Sequence, residues 1–121
     1  MTEKQESKAK EIAARHLLMS NETLKAIRDA GLASDRSVQL DFYFNAPNEK
    51  SAQKLVKNLE ANDCLNLMVE KSGSIFSRKF RVHGKTHPTE VTEQILEAWI
   101  PWIVVQGAAC ECEFDGWGIE V

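Results

Sequence analysis

Val38-Gln39-Leu40-Asp41-Phe42-Tyr43-Phe44 decides the fold of this chain. Apolar side chains at 38, 40, 42 and 44 alternate with Gln39, Asp41 and Tyr43, the period-two pattern of a strand buried on one face. Such a strand needs a cover, and the residues around it supply one. Asn45-Ala46-Pro47-Asn48 reads as a turn and helix start, with proline near the first helical position. Glu49 to Asn62 reads as a helix, with Ala52, Leu55, Val56 and Leu59 in one stripe. Leu65, Leu67 and Val69 then alternate with Asn66, Met68 and Glu70 in a second strand, and Lys71-Ser72-Gly73-Ser74 is a hairpin-type turn. Ile75 to His83 is a third strand, with Phe80 and Val82 inward, Phe76 near one end, and Lys79, Arg81 and His83 outward. Arg78 falls on the inner parity, which predicts a bulge or an edge position there.

Further along, Gly84 to Thr89 reads as a loop. Val91, Ile95, Ala98, Trp99 and Trp102 are spaced for one helix face. Pro101 removes a hydrogen bond and crowds the preceding turn, so this helix is expected to kink or end near Ile100. Gln106-Gly107 closes it. Ala108 to Phe114 is the last strand, with Ala108, Cys110, Cys112 and Phe114 inward and Glu111, Glu113 and Asp115 outward. Before the deciding strand, Ala9, Ile12, Ala13, His16 and Leu17 recur at helical spacing. Ser20 and Asn21 interrupt with cap-type side chains, a second amphipathic stretch carries Leu24 and Ile27, and Gly31 is a C-terminal stop. The first eight residues have little to bury and are expected to fray.

The order strand, helix, strand, strand, helix, strand is the ferredoxin-like βαββαβ arrangement of an α+β protein. Two helices should cover one face of a four-stranded antiparallel sheet whose strands lie in the order 4-1-3-2. Residues 1–36 form an N-terminal helical extension and residues 37–121 the ferredoxin-like domain, together one structural unit. A length of 121 residues agrees with one domain. A hydrophobic content of 43% and a charged content of 27% exclude a wholly disordered chain. The longest apolar run, Ala98 to Val105, is far short of the ~20 residues of a membrane span. Met1 to Lys10 has no apolar signal region, and an odd set of three cysteines (Cys64, Cys110, Cys112) reads as free thiols in a reducing compartment. A cytoplasmic protein without membrane contact is expected.

Net charge is −3, but the charges are segregated. Residues 71–85 contain Lys71, Arg78, Lys79, Arg81 and Lys85 and no acid, whereas residues 86–121 contain seven acids and no Lys or Arg. Segregation of this kind guides partners more than it guides folding. With the strands in the order given, the open face of the sheet reads Glu111 and Glu113, then Asp41 and Tyr43, then Lys79, Arg81 and His83. That face reads either as a solvated surface with cross-strand charge pairs, which are common and cheap, or as a candidate docking surface for a protein. A nucleic-acid module using the five basic residues is an alternative, but RNA platforms on this fold stack bases on outward aromatics. Here only Tyr43 points outward from the central strands, so nucleic acid is disfavoured.

Catalytic patterns fail on inspection. Gly84-Lys85-Thr86 lacks the second glycine of a phosphate-binding loop, since Lys79 stands in its place. His83 and His87 are four apart, but Gly84 and Pro88 disfavour the helix that would aim both at one metal. Exposed Glu111 and Glu113 would gain no desolvation to tune acid–base chemistry. No enzyme activity, cofactor or metal is expected. The run Ala98 to Val105 is hydrophobic all round, so Trp99 and Trp102 mark either a surface covered by the N-terminal helices or a homodimer interface.

The ending Glu113-Phe114-Asp115-Gly116-Trp117-Gly118 resembles the E-aromatic-D-G-W-G ending of the regulator of ribonuclease activity B family. The resemblance covers residues 21–121, with Asp115, Gly116, Trp117 and Gly118 as its closest match, and its ferredoxin-like order agrees with the one read here. It implies a regulator that binds a protein partner, a ribonuclease E-type enzyme or another degradosome component, without doing chemistry. For the motif itself the reading is structural: glycines for a tight exit from the last strand, and Trp117 packed on the core or the N-terminal helix.

Overall fold

A computed structural model describes residues 1–73 and 79–120. Its elements are α1 (Glu3–Asp29), β1 (Ser37–Val38), β2 (Asp41–Ala46), α2 (Glu49–Ala61), β3 (Leu65–Ser72), β4 (Lys79–Lys85), β5 (Thr89–Glu90), α3 (Glu93–Ala108) and β6 (Glu113–Gly118). The expected strand start at Ile75 and Phe76, the parity of Arg78 and the position of Val121 lie outside the described residues.

Strands β2, β3, β4 and β6 form one antiparallel sheet in the order β3-β4-β2-β6, which is the 4-1-3-2 order expected of a ferredoxin-like α+β domain. β1 and β5 pair separately as a two-stranded clip, Ser37 opposite Glu90 and Val38 opposite Thr89. Phe42, Phe44 and Val82 are fully buried under the helices, together with Leu55, Leu59, Ile100 and Ile103. Within β2 the period-two reading picked the core side of the sheet, but the expected strand from Val38 to Phe44 is divided: Val38 pairs with Thr89 in the clip, and the sheet strand runs from Asp41 to Ala46.

The N-terminal region differs from expectation. It is one helix of 27 residues rather than two, and it begins at once. Thr2 accepts from the Gln5 backbone N–H while the Thr2 N–H donates to the Gln5 side chain, a reciprocal cap that secures the first turn. Ser20 does not interrupt the helix, because its hydroxyl donates to the His16 carbonyl one turn back (2.6 Å) and leaves the backbone ladder intact. α1 packs along α3 and reaches β6, and Ala9, Ile12 and Ala13 join the common core.

All three helices stop in the same way. Leu32, Cys64 and Cys112 donate their N–H groups to carbonyls five residues back, at Ile27, Leu59 and Gly107. The residue before each, Gly31, Asp63 or Glu111, has positive φ (102°, 62° and 61°). This is the Schellman stop, in which a left-handed residue turns the chain so that the last carbonyls find donors. Only the first copy carries the glycine that signals it in sequence. The reading of Ala108 to Phe114 as strand is corrected accordingly: α3 runs to Ala108, Cys110 and Glu111 belong to the stop, and β6 begins at Glu113.

α3 also runs through Pro101 instead of ending near Ile100. Its buried face is Leu96, Ile100, Ile103, Val104 and Gly107, while Ile95 and Ala98, expected inward, are exposed. Gly107 lies inside the helix and lets it approach β2: a Cβ there would stand 2.5 Å from Phe44 Cε1. The 84–89 segment is shorter than a loop reading implies, because β4 continues to Lys85.

Candidate functional site

Among the described residues one face of the sheet carries no helix, and its side chains are the candidate site. β4 contributes Arg81, His83 and Lys85, β2 contributes Asp41, Tyr43 and Asn45, β3 contributes Met68 and Glu70, and β6 contributes Glu113 and Asp115; at the start of β3 an irregularity at Asn66 (φ 51°) sets Leu65, expected inward, opposite Lys85. Alternation puts them there, since their neighbours Phe42, Phe44, Phe80 and Val82 are committed to the core. The strand register then brings opposite charges together. Lys85 Nζ donates to Asp41 Oδ1 at 2.7 Å and to Glu120 Oε1 at 3.2 Å. These hydrogen bonds, Asp41 first, raise the Lys85 pKa and keep the ammonium charged. Arg81 reaches across β2 to Asp115 (3.3 Å), and its guanidinium carbon stands 5.0 Å from the centre of the Tyr43 ring. His83 Nε2 lies 3.1 Å from Glu70 Oε1.

The cross-strand charge pairs expected of this face are present, and they tie its acidic side to its basic middle. Arg81, His83, Asp41 and Tyr43 come together as read. Glu113 shares the face but turns toward Arg15 of α1 (3.6 Å). Glu111 is absent from the face, since the helix stop carries it to the end of the sheet. There it lines an open groove of ≈ 350 Å³ with Lys79, Lys8, Ile12, Pro47 and Cys112. Lys79, at the start of β4, is exposed beside this groove rather than among the paired charges. Trp99 and Trp102 are half-buried on α3, which α1 flanks, and both border a cavity of ≈ 270 Å³ with Leu40, Cys64 and His87. His83 and His87 consequently belong to different features.

Asp115-Gly116-Trp117-Gly118 does not form an exit from the last strand; it lies within β6. Phe114 pairs with Phe44 and Gly116 with Tyr43, so Asp115 is the extra residue of a bulge. Gly116 takes φ 141°, a backbone conformation that side chains disfavour. The bulge resets the alternation, and Trp117, three residues after Phe114, pairs with Phe42 on the helix side. Its indole N–H donates to Ser20 Oγ of α1 at 2.9 Å. Beside it His16 is buried with its ring edge-on to Phe114, centroids 4.7 Å apart. Burial and the neighbouring Arg15 lower the His16 pKa below 6.5, against the Phe114 backbone and the Asp115 and Glu113 carboxylates.

Sequence reasoning missed two members of this arrangement. Glu120 follows the last strand, where no alternation applies, and Ser20 looked like a helix cap. The three thiols are free. Burial raises the pKa of Cys64 and Cys110 and pushes that of Cys112 up to about 12, so all three are held as neutral thiols. Among the described residues no three His, Cys, Asp or Glu side chains converge as metal ligands, and no helix is long and apolar enough to cross a membrane. No protein-family model matches the chain, and no curated protein matches it.

Proposed function

We propose that this chain is a regulatory domain that binds a protein partner through the open face of its sheet and does no chemistry of its own. The observation that carries the reading is that face: four strands wide, free of helices, with Arg81, His83 and Lys85 each held by a carboxylate. Side chains fixed before binding lose less freedom when a partner arrives, which favours specific recognition over loose attraction. The same pairing weighs against a nucleic-acid module. Phosphate binding needs cations free to replace counterions, and here Lys85 and Arg81 are already engaged. The Tyr43 ring, the outward aromatic of the central strands, has Arg81 above it instead of an open stacking surface.

For the partner's class, the reading rests on the E-F-D-G-W-G ending and its resemblance to regulators of ribonuclease activity B. A ribonuclease E-type endonuclease, alone or in a degradosome, is the proposed target. The test is calorimetric titration of the full chain against such an enzyme, with RNA cleavage followed in parallel. Binding that slows cleavage, lost in Arg81→Glu, supports the proposal. Absence of binding at low salt overturns the ribonuclease assignment. Binding that survives both Arg81→Glu and Lys85→Glu removes the open face as its site.

A further inference from the structure

The side of α1 that faces away from the sheet is unusual. α1 buries Ala9, Ile12, Ala13, His16, Ser20 and Ile27, yet Leu18 is 73% exposed and Met19 54% exposed. Leu18 lies two and a half turns from both Ala9 and Ile27, so it projects opposite the core. Beside it runs a groove of ≈ 430 Å³ between α1 and α3, lined by Ala14, Leu17, Leu24 and Leu96 and bordered by Glu93 and Glu97. An outward leucine next to an apolar groove is the shape of a knob beside an empty hole.

We propose that α1 is a self-association surface: two copies of the chain pack antiparallel along α1, each seating its Leu18 in the groove of the other. The charges along the outward stripe select a second copy as the occupant. A two-fold axis through Leu18 sets residue 18+n against residue 18−n of the other copy. Seven residues, or two turns, to either side on the same stripe stand Glu11 and Lys25, both exposed. The axis therefore pairs Lys25 of each copy with Glu11 of the other, twice. It also sets the small side chain of Ala14 against Glu22, which permits close approach. An axis at Glu11, Glu22 or Lys25 places like charges opposite one another, and an axis at Ala14 sets Leu18 against Lys10. This surface is separate from the open sheet face, so association would leave that face free for a partner.

Sedimentation velocity of the full chain over a wide concentration range tests the idea. The wild type should form dimers as concentration rises. Glu11→Lys and Lys25→Glu, each replacing two attractive contacts with two repulsive ones, should each raise the dissociation constant about tenfold. The double variant should recover the wild-type value, because the pairs re-form with reversed sense. Leu18→Lys should be monomeric with unchanged helical circular dichroism. A wild type that stays monomeric at its solubility limit overturns the proposal. So does a double variant no tighter than the singles, or a dimer that persists in Leu18→Lys.

Discussion

Trp117 ties the two ends of the fold together through one hydrogen bond. Its indole N–H, half-buried against α1, has Ser20 Oγ as its acceptor. Trp117→Phe keeps the ring packing and removes the donor, and Ser20→Ala removes the acceptor. Each should cost about 0.5–1.5 kcal/mol in urea unfolding, and the double variant should cost less than the sum. A purely additive result would show that the bond contributes nothing to stability. His16, four residues earlier, gives the interface a pH dependence. Its folded pKa lies below the unfolded 6.5, so the unfolded chain binds the proton more readily. The His16 contribution is complete above pH 6.5 and is lost as pH falls from there through the depressed folded pKa. The urea midpoint should therefore drop between pH 7.5 and pH 5, and the drop should shrink in His16→Phe. The imidazole should titrate below 6.5 by proton NMR; a midpoint above 6.5 would refute the assignment.

Helix α3 shows where sequence reading works and where it stops. Its core contacts depend on Gly107, whose missing Cβ admits Phe44. Gly107→Ala sets a methyl 2.5 Å from Phe44 Cε1 and 2.9 Å from the Cys112 carbonyl oxygen, and should destabilise by about 1–3 kcal/mol. Four residues on, Glu111 holds a left-handed turn that costs an L-residue about 1–2 kcal/mol. Glu111→Gly should return about 0.5–1 kcal/mol of it, a gain in thermal midpoint readable by calorimetry. Strand alternation at 38–44, the stripe of α2 and the sheet order were legible because burial imposes a period on residues that face one way. The end of α3 was not, because a Schellman stop with glutamate in the glycine place has no local signature. Alternating Ala108, Cys110, Cys112 and Phe114 imitates a strand, although the first three lie at a helix end. Of the two outcomes Pro101 left open, the stop is excluded for the opposite reason: tertiary packing against β6 and α1 holds α3 together across a residue that would break an isolated helix. The open face was legible in its membership for β2 and β4. Its pairings were not, since they depend on register and on the bulge at Asp115.

Across the whole molecule, α1 is part of the core. Ala9, Ile12 and Ala13 share one buried cluster with Phe114 and the α3 residues Ile100 and Ile103. A chain shortened to residues 37–121 would expose Phe114 and the α1-facing side of α3. It should show no cooperative urea transition and should lose the near-ultraviolet circular dichroism of packed tryptophans; a sharp transition would show that the sheet and two helices suffice. Trp99 is half-buried against Phe42 and Phe114 of the sheet, and with Trp102 it borders the cavity shared with Leu40 and Cys64, so the two do not form a bare patch.

The bond between Ser20 and Trp117 spans 97 positions of the chain. Synthesis delivers α1 well before β6, and β6 is also a pairing partner of β2. At roughly 5–20 residues per second, about 5–20 seconds pass on the ribosome between the two. For most of that interval, until α3 is made, Ala9, Ile12, Ala13 and Ile27 lack their main native surface. The nascent chain thus carries an unsatisfied amphipathic helix until α3 and β6 have been made, and α1 is the first element synthesised here but among the last to find its native neighbours.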